Sequence, residues 1–431
     1  MPRIWIRGGR LLDPFSELDE VGDLLIEDGV VAAVGGQLDV RGAEVVEAEG
    51  CWVAPGFVDM HCHLREPGQE YKENLASGGR AAVAGGYTSV ACMANTEPVN
   101  DDPAVTEFIL DRGRQESPAR VHPIAAATHG LAGKEMTEMV ALRDAGAVAF
   151  SDDGKTVSDG GVMRRVLEYS RLAGLPVIVH AEDCTLVGRG VVNEGPVSTR
   201  LGLPGNPTAA EDVLVARDLE LAKLTGARLH IAHVSSAGAC DRIQQAREAG
   251  IQVTAEVTPH HLTLTDEATL GFDTNTKMAP PLRSRADVDR CREALAEGVI
   301  DAIATDHAPH AVHEKEQDFE NAPPGILGLE TAFGVCLELV REGTLSPLEL
   351  VRRMSTTPAQ LLALEAGRLC RGGPGDVVVL SPDKEWTYDP AKGYSKSRNS
   401  PWAGRQLQGR VEATWVGGEL VYHADRGVLV D

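Results

Sequence analysis

Positive charge is what this sequence most lacks. Its 431 residues carry 41 Lys and Arg against 64 Asp and Glu, a formal net charge of −23, which excludes nucleic acid or an anionic membrane surface as the main partner. A local basic pocket stays compatible with it. Paired cysteines are missing as well. The eight, at 51, 62, 92, 184, 240, 291, 336 and 370, contain no C-x-x-C, which argues against a disulfide framework and for reduced thiols. No run of eighteen apolar residues occurs, and the chain passes from Met1 into Arg3, Arg7 and Arg10 without an apolar signal core. Both features point to a soluble, cytoplasmic protein. Aromatics are scarce at 4%, yet a hydrophobic share of 43% is ordinary for a globular chain. No 20 to 50 residue repeat or low-complexity segment is visible.

What is there falls into three stretches. Near the start, Ile4-Trp5-Ile6, Asp23-Leu24-Leu25-Ile26 and Val30 to Val34 read as short strands, the last two joined by a turn at Glu27-Asp28-Gly29. Near the end, Asp376 to Leu380, Val411 to Val416 and Glu419 to Tyr422 read the same way. Neither end has enough strands to bury a core alone, so residues 1–55 and 365–431 are expected to pair into one small β-sandwich.

From 56 to 364 short apolar runs alternate with helical segments, the pattern of β/α units and a parallel sheet. The strand candidates are Gly56 to Val58, Thr88 to Met93, Val121 to Ala126, Ala147 to Phe150, Pro176 to Val179, Leu229 to Ala232, Ile251 to Val257 and Ile300 to Ala304. Eight such units predict a closed (β/α)8 TIM-like barrel. Glycines at 85–86, 146, 174, 226 and 250 fall where helix C-caps belong.

The apolar run into Val58-Asp59-Met60-His61-Cys62-His63-Leu64-Arg65 ends in two histidines one residue apart. Alternation along a strand predicts Asp59, His61 and His63 on one side, so that two imidazoles share a cation, with zinc the default. Other runs also close on polar residues: Asn95 after the second, Asp152-Asp153 after the fourth, His180, His233 and Asp306 after the fifth, sixth and eighth. In a barrel these ends converge on one face.

Four histidines and two carboxylates exceed one tetrahedral zinc, so two metal ions sharing a bridging ligand are expected. Two metals would supply hydroxide from a bridging water and polarise a carbonyl, the chemistry of amide or ester hydrolysis. Asp306, in Thr305-Asp306-His307-Ala308-Pro309-His310, would bind one metal, accept the proton released on attack, and return it to the leaving nitrogen. Arg65, Asn95 and His310 are expected to set specificity, the planar fork of Arg65 implying an anionic substrate.

At these residues the chain resembles the long bacterial dihydroorotases of the amidohydrolase superfamily. The resemblance rests on Pro55 to Gly68, Met93-Ala94-Asn95-Thr96, Ser151-Asp152-Asp153-Gly154 and Thr305 to His310. It implies interconversion of N-carbamoyl-L-aspartate and (S)-dihydroorotate, the ring-closing step of pyrimidine biosynthesis. It further implies that His61, His63, Asp153, His180, His233 and Asp306 are the zinc ligands, Asp153 bridging, and that His63, Arg65, Asn95, His310 and the backbone of Pro324-Gly325 hold the substrate. Hydantoinase-like relatives bridge their metals with a carboxylated lysine, whereas this strand end offers Asp152-Asp153 and only Lys155 nearby. The chain departs from the family at Ala279, where asparagine is usual, and no contact is assigned there. His260 and His261 are left outside the site. The charged loop Ala311 to Asn321 reads either as a lid or as an ordinary solvated loop. Two other functions stay open: a hydantoinase, dihydropyrimidinase or allantoinase-like amidase, and a non-catalytic scaffold partnering aspartate carbamoyltransferase. A homo-oligomer is compatible with either.

Overall fold

The computed structural model describes residues 3–430. Eight strands in the middle of the chain run Phe57–Cys62, Tyr87–Cys92, Arg120–Ala125, Ala149–Ser151, Val177–Val179, Leu229–Ile231, Val253–Val257 and Ala302–Ile303. They pair in chain order, each parallel to the next. A parallel bridge between Cys62 and His307, with the His63 N–H donating to the His307 carbonyl at 2.8 Å, brings the last unit back to the first. The result is the (β/α)8 barrel, all but closed, built from the eight apolar runs of the sequence.

Such strands are covered on both faces, which is why most of them read as largely apolar runs. Met60, Ala91, Ile124, Ala149, Ile178, Ala232 and Ala302 pack inside the barrel. A larger cluster fills the layer between the strands and the surrounding helices. Those helices have local reasons to start and stop. Gly160–Ala173 begins at Asp159, whose side chain accepts from the N–H groups of Gly161 and Val162, and ends at Gly174 with φ 71°, a left-handed residue that costs glycine nothing.

Trp52–Pro55 runs parallel to Ile4–Asp13 on one side and antiparallel to Val377–Thr387 on the other. It thereby joins both ends of the chain into one hydrogen-bonded sheet with Leu18–Glu27, Val30–Val34, Glu44–Glu47, Gln406–Val416, Glu419–His423 and Gly427–Val428. The sheet curls back where the Val31 N–H donates to the Gly373 carbonyl, enclosing Ile4, Ile6, Leu24, Ile26, Val377, Val379 and Trp415. Neither end could bury these residues alone. Among the described residues no helix is long and apolar enough to cross a membrane.

Candidate metal centre

Six side chains meet at the C-terminal mouth of the barrel, each delivered by the end of a different β/α unit except His61 and His63, which share the first. The simple alternation expected there is broken. Pairing with the second strand shifts register between Asp59 and Cys62, so Met60 joins the interior cluster while His61 and His63 both reach the mouth. Asp59 does not follow them: it accepts from the N–H and hydroxyl of Thr305, tying the first strand to the last. Of the acidic pair, Asp152 accepts from the N–H groups of Ala127 and Thr128 and from the Thr128 hydroxyl. Only Asp153 enters the cluster.

Asp153 divides it in two. Its Oδ2 lies 3.4 Å from Nε2 of both His61 and His63, and its Oδ1 lies 3.3 Å from His233 Nε2 and 3.6 Å from His180 Nδ1. Asp306 Oδ1 stands 3.1 Å from His63 Nε2 and 3.4 Å from His61 Nε2. Three sets of ligand atoms are each compact enough for a metal ion: His61, His63 and Asp153; Asp153, His180 and His233; His61, His233 and Asp306.

The outer nitrogens of three imidazoles are fixed by acceptors. His61 Nδ1 donates to Glu256 at 2.6 Å, His63 Nδ1 to the Asn95 carbonyl oxygen at 2.9 Å, and His180 Nε2 to Glu182 at 3.0 Å. Because these acceptors can only receive a proton, each imidazole turns its bare nitrogen inward. His61 Nε2 and Asp153 Oδ1 are buried without any hydrogen-bond partner. Unsatisfied lone pairs of both kinds facing one space are what a divalent cation fits.

The electrostatics agree. Burial opposes charge on every one of these groups, yet the neighbouring carboxylates raise His61 well above the usual histidine range and hold His180 up to about 10. Against the same burial, the histidines hold Asp153 and Asp306 below the usual carboxylate range, and Glu182 and Glu256 down to about 2. The carboxylates outweigh the fixed cations, so the site calls for added positive charge. Its backbone is strained: His233 at φ 35°, Asp306 at φ 44° and Arg65 at φ 64° sit in the left-handed region, a cost retained where it aims functional side chains.

The cluster floors a cleft of about 470 Å³. Arg65, Asn95, His310, Pro324 and Ala279 line it, while Gly325 sits directly behind, its Cα facing the Ala308 carbonyl and the His310 ring. Arg65 is buried, its Nε donating to the Pro309 carbonyl at 3.2 Å. No carboxylate of the described residues pairs with it, and burial lowers its pKa. His261 bonds Thr258 and the Pro280 carbonyl, and neither it nor His260 lines the cleft.

Sequence reasoning missed Glu182, Glu256 and Asn399. Glu256 carried a signal, a lone charge inside the apolar strand Val253–Val257. Asn399 carried none: its amide donates to the carbonyls of Ala308 and Gly325 and its oxygen accepts from the His310 N–H.

A dihydro-orotase-like family profile matches residues 50–239. The dihydroorotase of Anaeromyxobacter dehalogenans (strain 2CP-1) is 54% identical, covering 98% of this chain and 98% of the relative. That of Syntrophus aciditrophicus is 50% identical, covering 98% and 100%. Among solved structures, the L-hydantoinase (dihydropyrimidinase) of Arthrobacter aurescens superposes with a TM-score of 0.89 at 26% identity, covering 100% of this chain and 98% of its own. Half of the residues shared over nearly the full length, on a barrel whose mouth gathers a histidine–aspartate cluster, place this chain in the dihydroorotase family.

Proposed function

We infer that this chain interconverts N-carbamoyl-L-aspartate and (S)-dihydroorotate, the ring-closing step of pyrimidine biosynthesis, at a centre holding two zinc ions. His61, His63, Asp153, His180, His233 and Asp306 are the proposed ligands. The observation that carries the two-ion reading is the split of Asp153, one oxygen toward His61 and His63, the other toward His180 and His233. We also take residues 1–55 and 365–431 as one accessory β domain and 56–364 as the catalytic barrel. All eight cysteines are free, which supports a reducing cytoplasm as the compartment.

Bound zinc would supply an acidified water and an electron sink for the ring carbonyl. The protein does the rest. Asp306, with Oδ1 3.1 Å from His63 Nε2, is the proposed carboxylate that takes the proton released on attack at the ring amide and returns it to the departing nitrogen. Asn95 holds His63 through its carbonyl and shares the cleft with Arg65 and His310. Arg65 is a buried cation without a carboxylate partner, oriented by Pro309, and the substrate carboxylate is its proposed counter-ion.

The solved hydantoinase favours a rival ring, and one assay separates the two. Purified, zinc-replete protein should hydrolyse (S)-dihydroorotate but not hydantoin or allantoin, and a chelator should abolish turnover. Hydantoin turnover alone would replace the proposed substrate, and bound zinc without turnover of any ring would call for adding aspartate carbamoyltransferase as a partner. A second expectation concerns Arg65→Lys, which keeps the charge and loses the fork. KM for dihydroorotate should rise about ten- to a hundredfold with zinc content unchanged; a saturation curve matching the parent's would remove Arg65 as the clamp.

A further inference from the structure

Two buried lysines stand beside the cleft without a carboxylate partner. Lys277 and Lys315 are each 6% exposed, and among the described residues neither has an acidic oxygen within ion-pair distance. In a chain of net charge −23 that is unusual, since a buried ammonium is costly unless it is paired or fully hydrogen-bonded. Both spend their protons on the backbone of one segment. Lys277 Nζ donates to the carbonyls of Phe319 at 2.8 Å and Glu320 at 2.9 Å. Lys315 Nζ donates to those of Pro323 at 2.8 Å and Gly325 at 3.3 Å. Pro324, bracketed by the second pair, lines the cleft, and its carbonyl accepts from His310 Nε2 at 2.9 Å.

Elsewhere in the segment Asn321 and Ala322 donate their N–H groups to the Asp318 carbonyl, and Glu320 pairs with Arg189 at the surface. Gly325 donates its N–H to the Lys277 carbonyl at 2.9 Å and accepts from Asn399, whereas the Pro323 carbonyl is held by Lys315. A proline pair cannot donate backbone hydrogen bonds, so Pro323-Pro324 must be fixed through its carbonyls. Cationic donors give the strongest such bonds.

We propose that Lys315, backed by Lys277, is a positioning residue that latches residues 319–325 against the cleft and so sets substrate affinity. The inference rests on the dihydroorotate reading above. Its physical content is that His310 and Pro324 are pre-arranged before substrate arrives, at the expense of two buried charges. The groups facing Lys315 are Lys277, Asp273 and Glu314, and those facing Lys277 include Asp318 and Glu320. Burial first, and then Lys277, push Lys315 down to about 7. The latch is therefore charged at pH values well below that one and weakens as pH rises through it.

The test compares KM and kcat for dihydroorotate, with zinc content, in the parent, Lys315→Met and Lys277→Met. The parent's turnover checks the functional reading separately. Lys315→Met should raise KM about ten- to a hundredfold with kcat within twofold and zinc unchanged, and Lys277→Met should shift KM the same way by less. Across pH 6 to 9 the ratio of the Lys315→Met KM to the parent KM should narrow as the parent's own latch loses its proton. A parental KM in Lys315→Met, or a ratio constant with pH, overturns the latch. Should Lys315→Met not fold, the parent's profile and Lys277→Met decide: a parent KM flat through pH 7 with parental KM in Lys277→Met overturns it.

Discussion

Asp153→Ala should lose turnover by on the order of 10⁴-fold, and lose metal with it. Four imidazoles reach the mouth of the barrel as two pairs, and the Asp153 carboxylate faces both through separate oxygens. Alanine removes the link and the charge together. Two cations placed side by side repel, and an anion between them offsets that repulsion, so the variant should hold one zinc at most. The histidines should change as well. Asp153 is one of the carboxylates that raise His61 and His180 against burial, so its loss should lower both. Metal analysis of the dialysed variant, beside circular dichroism to confirm the fold, reads this directly. A variant with two zinc ions and parental rate would take Asp153 out of the centre.

The barrel was legible because its strands are buried on both faces. That makes runs such as Val177–Val179 apolar without interruption and makes the polar residue that ends each run conspicuous. His180, His233 and Asp306 stood out for this reason. The geometry within the first strand was not legible. Alternation predicted Asp59 beside His61, but a register shift sends it to Thr305, and a bulge leaves no mark of its own in the residue pattern. Residue pattern alone did not separate Asp152 from Asp153; the resemblance chose Asp153, and in space Asp152 accepts backbone N–H groups while Asp153 faces histidines.

What supports the site was harder still. Glu182, Asn399, Lys277 and Lys315 lie in polar stretches where a charged or amide residue is the ordinary surface choice. Their burial comes from the excursions between strands and from the C-terminal segment folding over the mouth. Asn399 reaches Ala308 and Gly325 across 91 and 74 residues of chain. Periodicity speaks only about neighbours, so no local pattern could have announced it.

Asp306→Asn should separate the metal centre from the proton transfer. Asparagine keeps the volume and one carbonyl oxygen where Asp306 Oδ1 stands 3.1 Å from His63 Nε2, so the proposed metal ions should remain. It cannot accept a proton. The step that collects hydrogen from the attacking water and delivers it to the ring nitrogen then loses its proposed carrier, while His61, His63 and His180 stay bonded to Glu256, Asn95 and Glu182 through their outer nitrogens. Loss of general acid–base assistance predicts a fall in kcat of about 10³-fold at nearly parental KM. The effect should be equal in both directions of the reaction, since the proposed role has Asp306 carry the proton both ways. Parallel assays of ring opening and ring closure, with metal content measured on the same sample, check it. Loss of zinc in step with kcat would make Asp306 a ligand and nothing more, and a rate within tenfold of the parent's would assign the proton to another group.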